Sequence, residues 1–320
     1  MTLEVLMATY NGQRFIERQL DSILTQSWTD FRLIIGDDAS TDKTPDILSD
    51  YAKKFPDKIS YIPYEDNVGA NANFARLLEV SDADYIMLAD QDDIWLPDKI
   101  ADSMHAMQEL EKEFGKDLPL LVTSDLTVID ENENQLHASW KKYVGISQKS
   151  YSLPHLLIRH AFLGCTLLFN KELLILATPI PLEAGMHDYW LTLVATVLGK
   201  IKSLDHSTIL YRLHKRNVVG ARQYNFSWLM DEWRHNPELI ENFQQRILKA
   251  YARAFLFYRR YKNSLSSEEE KIFENFIQLK YLPFHKELWN RLKFGFCEQT
   301  FSQNLILLYA SKKMGVFPTK

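Results

Sequence analysis

Asp90-Gln91-Asp92-Asp93 places three carboxylates within four residues at the end of an apolar run, Tyr85 to Asp90. An oxygen-rich cluster of this kind suits Mg2+ or Mn2+, hard cations that keep some of their waters and bind phosphate oxygens at the same time. A departing diphosphate has the matching need, because a divalent cation neutralises the charge that builds on it. The plainer reading is a solvated acidic turn capping the helix near Pro97. A second group, Asp37-Asp38-Ala39-Ser40-Thr41-Asp42, also follows an apolar run. Ser40 to Thr44 reads equally as a helix cap, since such side chains accept hydrogen bonds from exposed helix N–H groups. Adjacent Asp37 and Asp38 need more, because their mutual repulsion must be offset by a partner. A third group, His187-Asp188-Tyr189-Trp190, opens a helical pattern after Gly185. There an acidic side chain is also favoured by the helix dipole.

These groups need a scaffold that brings them together. Leu3 to Thr9, Phe31 to Asp37, Ile59 to Pro63, Tyr85 to Asp90 and Leu120 to Ile129 read as strands, short apolar runs bounded by polar or turn residues. Ile16, Leu20, Ile23 and Leu24 make the apolar stripe of a helix covering a sheet. Further helices start at Thr44-Pro45, near Asn71 with Phe74, Leu77 and Leu78 on one side, and near Pro97. Strand and helix in alternation imply an α/β fold with a mostly parallel central sheet flanked by helices. Ligands of such sheets bind at the carboxyl ends of the strands, where the acidic groups fall. From about 150 to 215 the pattern is mixed, with helices at Leu153 to Arg159 and Asp188 to Leu198 and strands at Leu163 to Phe169 and Ser207 to Leu213. A division near residue 222 separates a catalytic domain, 1–222, from a helical C-terminal extension, 223–320.

The bulk numbers exclude several classes. A chain of 320 residues with 46% hydrophobic and 25% charged residues is globular, and its net charge of -5 argues against a nucleic-acid partner. Cys165 and Cys297 fit neither a disulfide framework nor a zinc site, which points to a reducing compartment. Met1 to Thr9 reads as a first strand, not a signal peptide, and no run of about 18 apolar residues offers a membrane span. The expectation is a cytoplasmic protein, with peripheral contact at the inner face of the plasma membrane left open.

The strings Ala8-Thr9-Tyr10-Asn11-Gly12, Asp37 to Asp42 and Asp90-Gln91-Asp92-Asp93-Ile94-Trp95, in this order over roughly the first 220 residues, resemble glycosyltransferase family 2, the inverting enzymes of the GT-A fold. The resemblance implies a nucleotide site of Thr9, Tyr10, Asn11, Asp37, Asp38, Asp90 and Gln91. Thr9 and Tyr10 would pack against the base, Asp37 or Asp38 would bond base and ribose, and Asp90 would lie near the ribose. Asn67 and Asn73 occupy a stretch resembling the family's second nucleotide-side loop, and they read equally as turn and cap residues. Asp92 would bind the metal, and His214 in Tyr211-Arg212-Leu213-His214 would complete the metal site or touch the diphosphate. Inversion by direct displacement needs one general base for the acceptor hydroxyl, and by resemblance that base is Asp188. Asp93, Trp95, His187 and Arg212 are expected on the diphosphate or acceptor side, with Lys215 and Arg216 able to hold phosphate oxygens.

The longer strings, from Asp90 to Lys99, His187 to Trp190 and Tyr211 to Gly220, look most similar to bacterial rhamnosyltransferases of the family. That implies a dTDP-β-L-rhamnose donor, a saccharide or lipid-linked saccharide acceptor, and a place in surface polysaccharide synthesis. The alternative is a UDP-hexose or UDP-N-acetylhexosamine donor. A sugar nucleotidyltransferase would show a glycine-rich basic loop where Tyr10-Asn11-Gly12-Gln13-Arg14 stands. A non-catalytic nucleotide-sugar-binding protein would not need Asp92, Asp188 and His214 together. The tail has two readings. Its aromatics (Phe226, Trp228, Trp233, Phe255, Phe257, Tyr258, Tyr261) beside basic Arg246, Lys249, Arg253, Arg259, Arg260 and Lys262 suit a membrane surface. They also suit a subdomain packed on the catalytic domain or on another subunit of a homo-oligomer.

Overall fold

The structure, a computed structural model, describes residues 1–214, 238–298 and 301–314. Lys215, Arg216, Asn217, Gly220, Phe226, Trp228, Trp233 and the division at 222 lie outside the described residues. Residues 1–143, 162–182 and 186–214 group into one compact unit, and 144–161, 183–185 and the described residues from 238 onward into another. A single cut at 222 assigns 144–161 to the first unit, whereas their contacts place them in the second.

The first unit is built on a sheet of nine strands: β1 (Leu3–Thr9), β2 (Arg32–Asp37), β3 (Ile59–Pro63), β4 (Tyr85–Ala89), β5 (Ile94–Trp95), β6 (Leu120–Ile129), β7 (Gln135–His137), β8 (Leu168–Asn170) and β9 (Lys200–Arg212). Their order is β3-β2-β1-β4-β8-β6-β9-β5, with β7 beside β6. The stretch β3-β2-β1-β4 is parallel throughout, as the alternating pattern implies. Beyond β4 the sheet is mixed: β8 runs antiparallel to both neighbours, and β6 and β9 are parallel. The apolar run from Leu163 yields a strand only at its end. Thr166 Oγ1 donates to Leu163 O at 2.7 Å and a one-turn helix occupies Gly164–Thr166.

Strands β1, β4 and β6 are covered on both faces, which is why they read as continuous apolar runs. On one side Val5 and Met7 join Ile16, Leu20 and Ile23 of α1 (Ile16–Leu24), Leu48 of α2 (Thr44–Lys54) and Met104 and Met107 of α4 (Lys99–Phe114). On the other lie α3 (Ala70–Val80), against β1 and β2, and α8 (His187–Leu198), against β6. Two further helices are α5 (Trp140–Val144) and α7 (Lys171–Ala177).

Gly199 closes α8 where the chain turns into β9. A Cβ there would stand 2.0 Å from Pro119 O, and that carbonyl accepts Lys200 N at 2.9 Å, beside the Leu120–Lys200 pair of the β6–β9 ladder. Neither backbone can yield cheaply. Gly199→Ala is expected to cost about 3 kcal/mol, read as a lower denaturation midpoint with an unchanged slope.

The second unit is helical: α6 (Leu153–Ile158), α9 (Glu238–Tyr261), α10 (Ser267–Gln278), α11 (Phe284–Phe294) and α12 (Phe301–Met314). Phe257 of α9 stacks on Phe273 of α10 at 4.9 Å, and Phe276 meets Phe296 edge-on at 5.1 Å. Ser266 and Glu269 form a reciprocal capping box that starts α10.

Candidate active site

A cleft of about 1030 Å³ lies at the carboxyl ends of β1, β2 and β4. Its wall includes Thr9, Tyr10, Asn11, Asp38, Asn67, Asn73, Asp90, Gln91, Asp92, His187, Asp188 and His214. Asp37, Asp93, Trp95 and Arg212, expected beside the ligand, are not part of that wall and are buried behind it.

The difference between Asp37 and Asp38 follows from the strand. Successive side chains of a strand point to opposite faces, so two adjacent aspartates at a strand tip cannot share a task. Asp37 turns back to bracket the rim: it accepts from Thr9 Oγ1 at 2.8 Å and from Ser40 N and Oγ at 2.9 and 2.6 Å. Asp38 turns toward the loop before α3, where Val68 N and Gly69 N donate to its two oxygens at 3.0 and 2.7 Å. Asn67 Nδ2 donates to Asp38 O at 3.0 Å, and Asn73 Nδ2 to Gly36 O at 2.8 Å. Both asparagines therefore hold the backbone of this corner. Asn11, at φ 49°, accepts Thr41 N at 2.8 Å and donates its own N–H to Ser40 Oγ at 2.8 Å, locking the β1 loop to the β2 loop.

Gln91 links β1 to β4. Its Oε1 accepts Tyr10 N at 2.8 Å and its Nε2 donates to Tyr10 O at 3.0 Å, which leaves the Tyr10 ring exposed at the rim. Gly12 makes the clamp fit, since a Cβ there would sit 2.4 Å from Gln91 Oε1.

The acidic string divides in the same way. Asp92 Oδ2 lies 2.8 Å from His214 Nε2 on the cleft wall, and the imidazole is held by the ring of Phe15, 5.2 Å away. Asp93 points inward, fully buried, and accepts Arg212 N at 3.1 Å. Arg212 serves as a brace and not as a phosphate clamp. Its Nε donates to Asp92 O at 3.0 Å, its Nη1 to Glu131 O at 3.2 Å, and its Nη2 pairs with Glu133 at 3.3 Å. With its fork committed to these acceptors, the guanidinium fixes the turn that carries Asp92. Trp95 is held in the core by its backbone N–H, which donates to Ser22 Oγ at 3.0 Å, and by Lys99 Nζ, 4.7 Å over its ring.

Half-buried Asp90 on the cleft wall and buried Asp93 and Cys165 behind it bring their carboxylate and thiol atoms within 4.8 Å of one another. Burial, with Asp92 and Asp188 nearby, pushes the Asp90 carboxyl up to about 7. Burial, with Asp92 and Asp90 nearby, raises Asp93 well above the carboxylate range, and burial lowers Lys99 to about 8. Because Asp90's folded value exceeds its ordinary one, the stability tied to its proton is present at low pH and is lost as pH rises through about 7.

Asp188 opens α8 and lines the same cleft. Its Oδ2 accepts Gly164 N at 3.0 Å and its Oδ1 accepts Tyr189 N at 2.7 Å. Burial raises its pKa, and His187 and these backbone donors offset part of the rise. His187 lies against the Phe74 ring, centroids 4.1 Å apart. Phe15, Phe74 and Gly164 also line the cleft, and the sequence carries no signal of it. Phe74 reads in the sequence as part of a core stripe, and Gly164 sits inside an apparent strand.

A family profile described as "Glycosyl transferase family 2" matches residues 4–139. The dTDP-rhamnosyl transferase RfbG of Shigella flexneri is 31% identical over 227 residues, covering 67% of this chain and 74% of that protein. The chain spans between 60% and 74% of the length of the first relatives it matches. Among solved structures, residues 1–349 of TarS from S. aureus in complex with UDP align over 98% of this chain and 91% of that one, with a TM-score of 0.55 and 16% identity. A mannosyltransferase of Pyrobaculum calidifontis in complex with GDP-Man and Mn2+ aligns over 98% and 87%, with a TM-score of 0.55 and 16% identity. At these identities the two structures speak for the fold alone, and that fold is GT-A.

Proposed function

The chain belongs to glycosyl transferase family 2, and from that premise we propose that it moves a sugar from a nucleotide-diphosphate donor to an acceptor hydroxyl with inversion. The observation that carries this reading is one cleft wall shared by Asp38, Asp92, His214 and Asp188.

Asp92 and His214 fit a divalent ion. Neighbouring ligands of an octahedral ion at about 2.1 Å stand about 3.0 Å apart, close to the 2.8 Å between Asp92 Oδ2 and His214 Nε2. The mixed oxygen and imidazole set suits Mn2+ better than Mg2+. When bound, the ion supplies the Lewis acid that neutralises the departing diphosphate. The exposed Tyr10 ring, fixed by Gln91, offers a face to the base, and Asp38 keeps acceptor capacity for base or ribose. Asp188 takes the proton of the attacking hydroxyl, with a proton affinity raised by burial.

The favoured donor is dTDP-β-L-rhamnose, which gives an α linkage on a saccharide or lipid-linked saccharide of a bacterial surface polysaccharide. Support comes from the strings around Asp90 to Lys99, His187 to Trp190 and Tyr211 to His214, and from the similarity to a dTDP-rhamnosyl transferase. A thermal-shift series with dTDP, UDP and GDP, each with Mn2+ or Mg2+, tests the reading. A ligand at about 100 times its Kd adds about 2.7 kcal/mol of stability, and dTDP with Mn2+ is expected to give the largest shift. A clear shift with UDP alone removes the rhamnosyl assignment. No shift with any of the three removes the transferase reading.

A further inference from the structure

Helix α11 is turned inside out. Its charged pair faces the interior of the helical unit: Glu287 and Arg291 are buried, Arg291 Nε donates to Glu287 Oε1 at 2.9 Å, and Ser311 Oγ of α12 donates to the same oxygen at 2.6 Å. One turn apart on the same side, this pair fixes the helix's rotation, and the opposite side carries the apolar residues. Trp289 and Leu292 are 67% and 66% exposed. The neighbouring α12 is apolar on its outward side as well, with Leu305 and Tyr309 exposed, and Lys312 Nζ reaches within 5.7 Å of the exposed Phe284 ring of α11. Surface helices put their apolar stripe inward, so α11 carries the wrong face to solvent, and α12, which buries Leu307 and Ala310, is apolar on its outward side as well as its inner one. Large apolar side chains exposed together on two neighbouring helices mark a site of contact.

The charge of the patch identifies what it contacts. From 279 to 314 the sequence holds two carboxylates, Glu287 and Glu298, and both are buried in ion pairs with Arg291 and Arg246. Lys286, Lys293, Lys312 and Lys313 are exposed over the same stretch, and Lys280 is half-buried, in a protein whose net charge is -5. On α11, Lys286 and Lys293 flank Trp289 at helical spacing. A symmetric pairing of two copies through this face would bring like charges together. A bilayer with anionic headgroups complements both features, taking the indole and leucine at the acyl boundary and the lysines at the phosphates. We propose that the outward face of α11 and α12 docks on an anionic lipid surface. The proposal does not depend on the donor reading.

Flotation of the full chain with phosphatidylcholine vesicles, and with vesicles containing roughly one third phosphatidylglycerol, is the test. Binding is expected with the anionic vesicles alone and should weaken as salt rises. Trp289→Ser with Leu292→Ser, and separately Lys286→Gln with Lys293→Gln, should each lower partitioning at least about tenfold, with the nucleotide-induced thermal shift unchanged. The lysine variant alters exposed side chains only, so it keeps the test open if the apolar variant unfolds. Absence of wild-type flotation, or variants that float like the wild type, overturns the proposal. So does light scattering that finds a multimer dissolved by these substitutions, since a second copy would then be the occupant.

Discussion

Asp188→Asn is expected to lower kcat for sugar transfer about a hundredfold to ten-thousandfold while the Kd for nucleotide stays within a factor of two or so. Asparagine keeps the shape, but its single carbonyl oxygen replaces only one of the two acceptors that Gly164 N and Tyr189 N use, so a lower melting temperature is expected beside the loss of turnover. What disappears is the capacity to hold a proton. The base must be ionised to act, and burial lifts its pKa. Activity of the wild type therefore falls with acid, through a limb above the usual carboxylate range, and that limb should be missing from whatever rate the variant retains. Steady-state kinetics across pH, with nucleotide titration on the same samples, make the comparison. A variant that transfers sugar at the wild-type rate would remove Asp188 from the chemistry.

Asp92→Asn should abolish the extra thermal shift that Mn2+ gives with nucleotide and lower turnover by about a hundred to a thousandfold. The same substitution removes one of the charges that hold Asp90 near 7 and Asp93 above the carboxylate range. That repulsion is felt only where Asp90 is ionised, so the metal-free variant should be at least as stable as the wild type above pH 7, with little difference near pH 5. An inactive protein that melts no earlier than its parent cannot owe its inactivity to misfolding. Calorimetry at the two pH values, with and without Mn2+, separates the outcomes. Retention of the full metal-dependent shift would place the ion elsewhere in the cleft.

The first four strands fall within a residue of the apolar runs in the sequence, because sharp polar flanks, with burial on both faces at β1 and β4, leave little room for another assignment. Strand β5, two residues long, has no such signature, and the polar start of β9 is half exposed. The acidic strings mark the rim of the sheet correctly. They do not say which carboxylate of each pair faces the cleft. That is decided by strand direction at Asp37 and Asp38, and at Asp92 and Asp93 by a brace, Arg212, that lies 119 positions along the chain from Asp93. Partners so remote leave no local pattern, which is why Arg212 reads as a ligand contact and turns out to be scaffolding. Phe74 shows the converse. Its helical spacing assigns it to the core, while its ring also supports His187 at the cleft.

The Gln91 side chain grips the backbone of Tyr10 from both sides, and the residue after it is Asp92. In the proposed reading, one taut span then runs from the seat of the nucleobase to the seat of the ion. Anything that settles the base also steadies the carboxylate, and the reverse holds by thermodynamic reciprocity. A sugar nucleotide would be recognised from both ends at once, so a free base or a lone pyrophosphate would win only part of the grip that the intact donor commands.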